Sequence, residues 1–205
     1  MSSQSHHRPQ HAFWEQVSHA LPFHWSHRAN RIERGIHRHL AGASTLLDCG
    51  CGSMPVPKLI EKRSSIQTFG TDVMNLGAAH PRFCVCAGEQ LAFPDNSFDV
   101  VSLMFVLHHT DDPAIAVREC ARVSKRHVLV LEDIYSHPLE RQLLKALDVA
   151  GNYFISKDMA FPFNFKTVRE WEGLFSGLGL RLVCSEPIVP NRVRPSRHRL
   201  FLLEK

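Results

Sequence analysis

The stretch Leu46-Leu47-Asp48-Cys49-Gly50-Cys51-Gly52 decides the fold. The short apolar run from Ser44 to Asp48 predicts a buried strand, and the glycines predict a tight loop behind it. Pro55 to Lys62 then reads as a helix, with proline near its start where a missing N–H costs little. Strand, glycine loop and helix in that order open an α/β sheet whose ligand sits at the loop. A dinucleotide site needs a third glycine, G-x-G-x-x-G, so that a pyrophosphate can rest on backbone N–H groups. Here the third position is Pro55, and the strand ends in the carboxylate Asp48. Both features disfavour a diphosphate. They favour a ligand that carries positive charge and no phosphate.

Outward from the loop, strands and helices alternate. Ile66 to Thr71 predicts a second strand closed by Asp72, and Arg82 to Cys86 a weak third. Phe98 to Phe105 predicts a fourth, Asp111 to Ser124 a helix, and His127 to Leu131 a fifth strand. Leu139 to Gly151 is helical in pattern. Thr167-Val168-Arg169-Glu170 is a capping box, with a helix running to the glycines at 177 and 179. Leu180 to Ser185 and His198 to Leu203 have no helix between them, so they predict antiparallel strands. The fold class is therefore α/β, a Rossmann-like, mostly parallel sheet with an antiparallel C-terminal hairpin. Upstream, Phe13 to Leu40 predicts one or two helices broken near Leu21-Pro22. Ile32, Ile36 and Leu40 share one face, and Gly42 ends the run.

Composition narrows the class. The chain has 205 residues, 44% hydrophobic and 21% charged, which suits one globular domain. Residues 1–10 are polar and expected to be disordered, 11–42 to form a helical cap, and 43–205 the main domain. No apolar run approaches the roughly 20 residues of a membrane span, and no apolar signal core opens the chain. A cytoplasmic protein without membrane contact is expected. The net charge of +4 is mild, so a nucleic-acid partner is not expected. The arginines of 192–199 read as a solvated loop. Six cysteines suggest reduced thiols. Cys49/Cys51 and Cys84/Cys86 leave one residue between partners where zinc pairs leave two to four. No metal site is expected.

S-adenosylmethionine (SAM) fits the loop chemically, with an ammonium, a sulfonium and no phosphate. Asp72, twenty positions after Gly52, can accept hydrogen bonds from ribose hydroxyls. Two further stretches carry a resemblance. Gly88-Glu89-Gln90-Leu91-Ala92-Phe93-Pro94-Asp95-Asn96-Ser97-Phe98-Asp99-Val100-Val101 resembles the signature that follows the third strand of class I SAM-dependent methyltransferases. Val106-Leu107-His108-His109-Thr110-Asp111-Asp112-Pro113 resembles their next one. The pattern is similar to the small-molecule, ubiquinone-biosynthesis-like (type 11) branch, and it implies the seven-stranded sheet of that class. It implies that Asp48, Gly50 and Gly52 line the methionine end of SAM and that Asp72 holds the ribose. Val73 would pack on adenine, Gly88 and Glu89 border it, and Phe105 face the cofactor. The family's adenine-contacting Asp aligns with Ala87, a departure.

Methyl transfer leaves S-adenosylhomocysteine and proceeds by in-line displacement, so the protein mainly aligns the nucleophile and excludes water. Candidates for a base lie after the fourth and fifth strands: His108, Glu132 and Asp133. Converging with a histidine, the two acids would also be able to hold a metal. The aromatic segment from Gly151 to Phe165 stands where the family builds a substrate lid, about 135–166. Asn152, Tyr153 and Asn164 are its hydrogen-bonding candidates, with Phe154, Phe161, Phe163 and Phe165 around them. The resemblance further implies that the N-terminal helices, with Trp14, Phe23 and Trp25, close over the same pocket. The acceptor expected is a small, planar or apolar molecule. Alternatives are a peptide or RNA acceptor, a nicotinamide oxidoreductase, and a catalytically inactive partner protein.

Overall fold

The computed structural model describes residues 22–152, 161–188 and 197–205, with the side chains of 22–26 and 152 outside that description. Residues 1–10, Trp14, Tyr153, Phe154 and residues 192–196 therefore lie outside it, as do the side chains of Phe23, Trp25 and Asn152. In chain order the elements are α1 (Pro22–Ile36), β1 (Thr45–Cys49), α2 (Pro55–Arg63), β2 (Gln67–Asp72), β3 (Phe83–Val85) and β4 (Phe98–Met104). They continue with α3 (Pro113–Val123), β5 (Ser124–Ile134), α4 (Pro138–Asn152), α5 (Val168–Gly177), β6 (Arg181–Ile188) and β7 (Arg197–Glu204).

The strands form one seven-stranded sheet in the order β3-β2-β1-β4-β5-β7-β6. Strands β1 to β5 pair in parallel. Strand β7 is antiparallel to both neighbours, β5 and β6. The terminal hairpin expected from the missing helix is thus present, with its second strand inserted beside β5. The fifth strand is longer than its apolar run, because β7 pairs with it as far as Ile134. The fourth strand is one residue shorter. Phe105 has φ +60°, which breaks the extended chain.

Side-chain alternation distributes each strand between two cores. Leu47, Val101, Val128, Val130, Phe201 and Leu203 face α3 and α5, where Val117, Cys120, Trp171 and Phe175 are fully buried. Leu46, Val100, Leu129, Leu131, Leu200 and Leu202 face Val56 and Ile60 of α2 and the stripe Ala29, Ile32, Ile36 and Leu40. The apolar face anticipated around Ile32, Ile36 and Leu40 is therefore part of a core layer. The box at Thr167 caps α5 in both directions. All six cysteines are free, Cys49 facing Cys120 at 3.6 Å. Among the described residues no helix is long and apolar enough to cross a membrane.

One carboxylate fixes the mouth of the sheet opposite the glycine loop. Asp99 accepts from the backbone N–H groups of Ser44 and Thr45 at 2.8 and 3.0 Å, from the Thr45 hydroxyl, and from Lys125 Nζ at 3.0 Å. Burial works against its ionisation, but these donors outweigh burial and hold the carboxyl at about 2. Its pKa falls on folding, so its stabilisation is present above the unfolded value of about 3.9. That stabilisation is lost as pH drops through about 2. Chemical denaturation at stepped pH should show wild type more stable than Asp99→Asn by a constant margin above pH ~5. The margin should shrink between pH ~4 and ~2.

Candidate functional site

The order of the strands reverses between β1 and β4, which lie side by side in parallel register with Asp48 opposite Ser102. Crevices at the carboxyl ends of strands on either side of such a reversal are where open α/β sheets bind ligands. The glycine loop emerges there. Gly50 and Gly52 have φ of +72° and +54°, the left-handed region that favours glycine. The N–H groups of Gly50 and Cys51 both donate to Thr71 O, at 2.7 and 3.0 Å, and so fold the loop back onto β2. A Cβ at Gly50 would lie 2.3 Å from Val106 Cγ2, whereas one at Gly52 would meet open space.

Asp72 completes the fold of the loop. Its Oδ2 accepts from Gly52 N and its Oδ1 from Met74 N, both at 2.9 Å. Each oxygen keeps a lone pair for a further donor. The start of α2 is poor in donors. Pro55 and Pro57 have no N–H, and Met54 N donates to Cys51 O at 2.9 Å. Of the first helical groups that would normally face a phosphate, only Val56 N–H is left. The sequence pointed to Pro55 alone; the structure adds Pro57 and the committed Met54.

Asp48 is buried beneath the loop and accepts from Ser102 Oγ at 2.7 Å. Burial pushes its carboxyl up, the Ser102 hydroxyl restrains it, and the charge of Asp72 adds to the rise, leaving it at about 7. Asp48, Gly50, Gly52 and Asp72 thus converge in one place. Val73, exposed, follows Asp72 directly. Gly88 and Glu89, half-buried, lie on the turn after β3, where Cys86 N donates to Asp72 O. Phe105 is turned toward α1 and β7. The Arg28 guanidinium lies 4.4 Å over its ring, and His198 meets its edge at 4.9 Å.

A second cluster lies beyond β4. Glu132 is fully buried and accepts from Val106 N (2.9 Å), Leu107 N (2.7 Å) and His108 Nδ1 (2.7 Å). His108 Nε2 stands 3.5 Å from Asp148 Oδ1 of α4, and its ring stacks on Phe165 at 4.6 Å. Burial opposes charge on His108, but Glu132 and Asp148 outweigh it and push its pKa up to about 10. Glu132 and Asp133, which would have had to converge with a histidine to hold a metal, do not point to the same side. Both lie within β5, so they face opposite sides of the sheet. Asp133 pairs with His198 Nδ1 at 2.6 Å instead. Burial raises the Asp133 pKa, but that histidine, with His108 and Arg28, lowers it further. Asn164 Nδ2 donates to Thr110 O at 2.7 Å, and its backbone N–H donates to His108 O. Asn152 ends α4, and Tyr153 lies outside the described residues.

Sequence reasoning missed Ser102, Val106, Asp148 and His198. Ser102 had a signal: one hydroxyl in the apolar run Val100-Val101-Ser102-Leu103, in register with a strand-ending acid. Asp148 had none, since a lone carboxylate on a helix reads as solvated surface.

Residues 47–131 match the family model described as a methyltransferase domain. Over 101 residues the chain is 34% identical to a protein of Bacillus subtilis (strain 168) named methyltransferase YcgJ, covering 49% of this chain and 37% of that one. Over 114 residues it is 30% identical to a demethylmenaquinone methyltransferase of Renibacterium salmoninarum, covering 50% and 48%. The chain thus spans less than half the length of these relatives. Geranyl diphosphate C-methyltransferase of Streptomyces coelicolor, solved with Mg2+, geranyl diphosphate and S-adenosyl-L-homocysteine, superposes with a TM-score of 0.67. It is 14% identical over 85% of this chain and 77% of its own.

The two glycines should respond unequally to alanine. Gly50→Ala adds a clash with Val106 to positive-φ strain and should cost on the order of 2–4 kcal/mol. Gly52→Ala meets only the strain, about 1 kcal/mol. Urea denaturation checks both; equal losses would contradict the Val106 contact. Asp48 makes a pH prediction of opposite sign to Asp99. Its pKa rises on folding, so its cost to stability is absent below about pH 4 and grows as pH rises through about 7. The stability of Asp48→Asn relative to wild type should therefore increase over that interval.

Proposed function

We propose, for a chain that belongs to the class I methyltransferases, that it transfers a methyl group from SAM to a nucleophilic atom of a small acceptor with planar or apolar character. The observation that carries the first half is the loop: two acids, two positive-φ glycines and a helix start nearly stripped of N–H donors. A diphosphate loses its usual partners in such a place, and a cationic, phosphate-free ligand gains a carboxylate. The family match, from Leu47 of β1 to Leu131 of β5, covers the strands that build this loop.

SAM, when bound, supplies a methyl on a sulfonium that is already an activated leaving group. The chain's own residues do the rest. The free lone pairs of Asp72 accept from ribose hydroxyls while its other contacts hold Gly52 in place. Asp48 supplies the charge opposite the cationic methionine end. Gly50 and Gly52 keep side chains out of its path. Val73 packs on adenine, with Gly88 and Glu89 at its edge and Ala87 in place of the family's acid. Phe105, braced by Arg28 and His198, closes the side toward α1.

On the acceptor side, a histidine with a pKa near 10 already carries its proton at neutral pH and is a poor general base. Glu132 is engaged by three donors. We therefore assign His108 and Glu132 to positioning the turn after β4. Asp133, paired with His198 and, despite burial, with its pKa lowered by that histidine, His108 and Arg28, is a poor base and is left as a group able to bind a cation. Asn164 belongs to the acceptor wall, while Tyr153 and the Asn152 side chain lie outside the described residues. Phe161 and Phe163 stack at 5.7 Å, and Lys145 lies 5.2 Å over Phe163, which suits a flat or apolar acceptor. The Renibacterium relative, a demethylmenaquinone methyltransferase, is consistent with that chemistry.

Calorimetric titration tests the reading. SAM should bind and NADH should not; the reverse would refute it. Asp72→Ala should weaken SAM binding by on the order of 1–3 kcal/mol. SAM affinity should also rise as pH increases through about 7, because the cation binds the ionised form of Asp48. A pH-independent affinity would detach Asp48 from the ligand.

A further inference from the structure

The turn after β4 and the helix α4 bring together three groups that the methyl-transfer reading leaves unused as a set. His108 Nε2 and His109 Nε2 each lie 3.5 Å from the same oxygen, Asp148 Oδ1. All three atoms fall within 4.8 Å of one another. For ligand distances of about 2.0–2.2 Å, the edges of a tetrahedron around a zinc-like ion are about 3.3–3.6 Å. The two measured edges already have that length. We propose that His108, His109 and Asp148 form a binding site for one divalent first-row transition-metal ion, bridging the turn after β4 to α4.

Three further observations support the site. First, His108 is oriented as a ligand. Its Nδ1 is bonded to the buried Glu132 carboxylate at 2.7 Å, which points Nε2 at Asp148, where a metal ion would take the place of the Nε2 proton. A carboxylate behind a metal-bound histidine is the usual outer support of such sites. Second, the charge fits. Glu132 and Asp148 bring two negative charges to two imidazoles that are neutral as ligands, which a dication balances. Third, the exposure is graded. The side chains of His108 and Asp148 are 4% and 9% exposed, whereas that of His109 is 21% exposed, so solvent reaches the cluster at His109. Three protein ligands leave a fourth position for water or an oxygen of an acceptor. Two imidazoles with one carboxylate select zinc or ferrous iron over magnesium or calcium.

One other cluster among the described residues has ligand spacing, His39 with Cys184 and Glu186. There His39 Nε2 is hydrogen-bonded to Glu186 at 2.8 Å, and the Arg38 guanidinium pairs with the same carboxylate. A fixed cation occupies the place of a metal, so this cluster serves as the control.

The test is metal binding by the full chain, independent of methyl transfer. Chelator-treated protein is titrated with ZnCl2, and zinc content is measured by mass spectrometry after dialysis. One zinc per chain is expected. His109→Ala and Asp148→Asn should each weaken binding at least about tenfold, and His39→Ala should bind as wild type. Cobalt(II) substituted into wild type should give visible d–d bands with no thiolate charge-transfer band. That spectrum excludes the cysteine-containing cluster, and the conservative variant His109→Gln keeps the site testable if His109→Ala fails to fold. Absence of stoichiometric zinc, uptake unaffected by Asp148→Asn in folded protein, or a thiolate band would overturn the proposal.

Discussion

Glu132 is a fully buried carboxylate, and a buried charge is tolerated only with hydrogen-bond partners around it. Its partners are the N–H groups of Val106 and Leu107 and the His108 ring. That requirement fixes the turn after β4. The fixed turn puts Val106 where a side chain at position 50 would stand, so the glycine loop is constrained from the far side of β4. Asp72 constrains the same loop from β2. His108 in turn meets Asp148, which ties the turn to α4. Contacts therefore run across the carboxyl ends of β2, β1, β4 and β5 and out to α4. These contacts hold the cradle in shape.

Each contact has a second use. Asp72 shapes the loop with two backbone bonds and keeps lone pairs for a ligand. Asp48 is raised by burial to where a neighbouring cation changes its protonation. Such an arrangement spends some stability on a site.

Much of this was legible in the sequence because it rests on local rules. Strand, glycine loop and helix follow from periodicity and from glycine's access to positive φ. The hairpin of β6 and β7 follows from the missing crossover helix, and the cap of α5 from Thr167 and Glu170. Asp48, Gly50, Gly52 and Asp72 were found as neighbours because each ends a strand or lies in the loop behind one. What was not legible depends on register and on long-range packing. The reach of β5 to Ile134 is set by pairing with β7, some 65 residues later. That extension puts both Glu132 and Asp133 inside the strand, where alternation turns them to opposite faces of the sheet. Asp148 and His198 become partners of site residues only through tertiary approach, and no spacing rule announces them. The Val106 contact is likewise invisible until β1 and β4 lie side by side.

The most direct test of the account is a crystal structure of the protein with S-adenosylhomocysteine. The ribose hydroxyls are expected on Asp72, the amino-acid end over Gly50 and Gly52 near Asp48, and adenine between Val73 and the turn at Gly88-Glu89. A ligand bound elsewhere, or with its ribose away from Asp72, would contradict it.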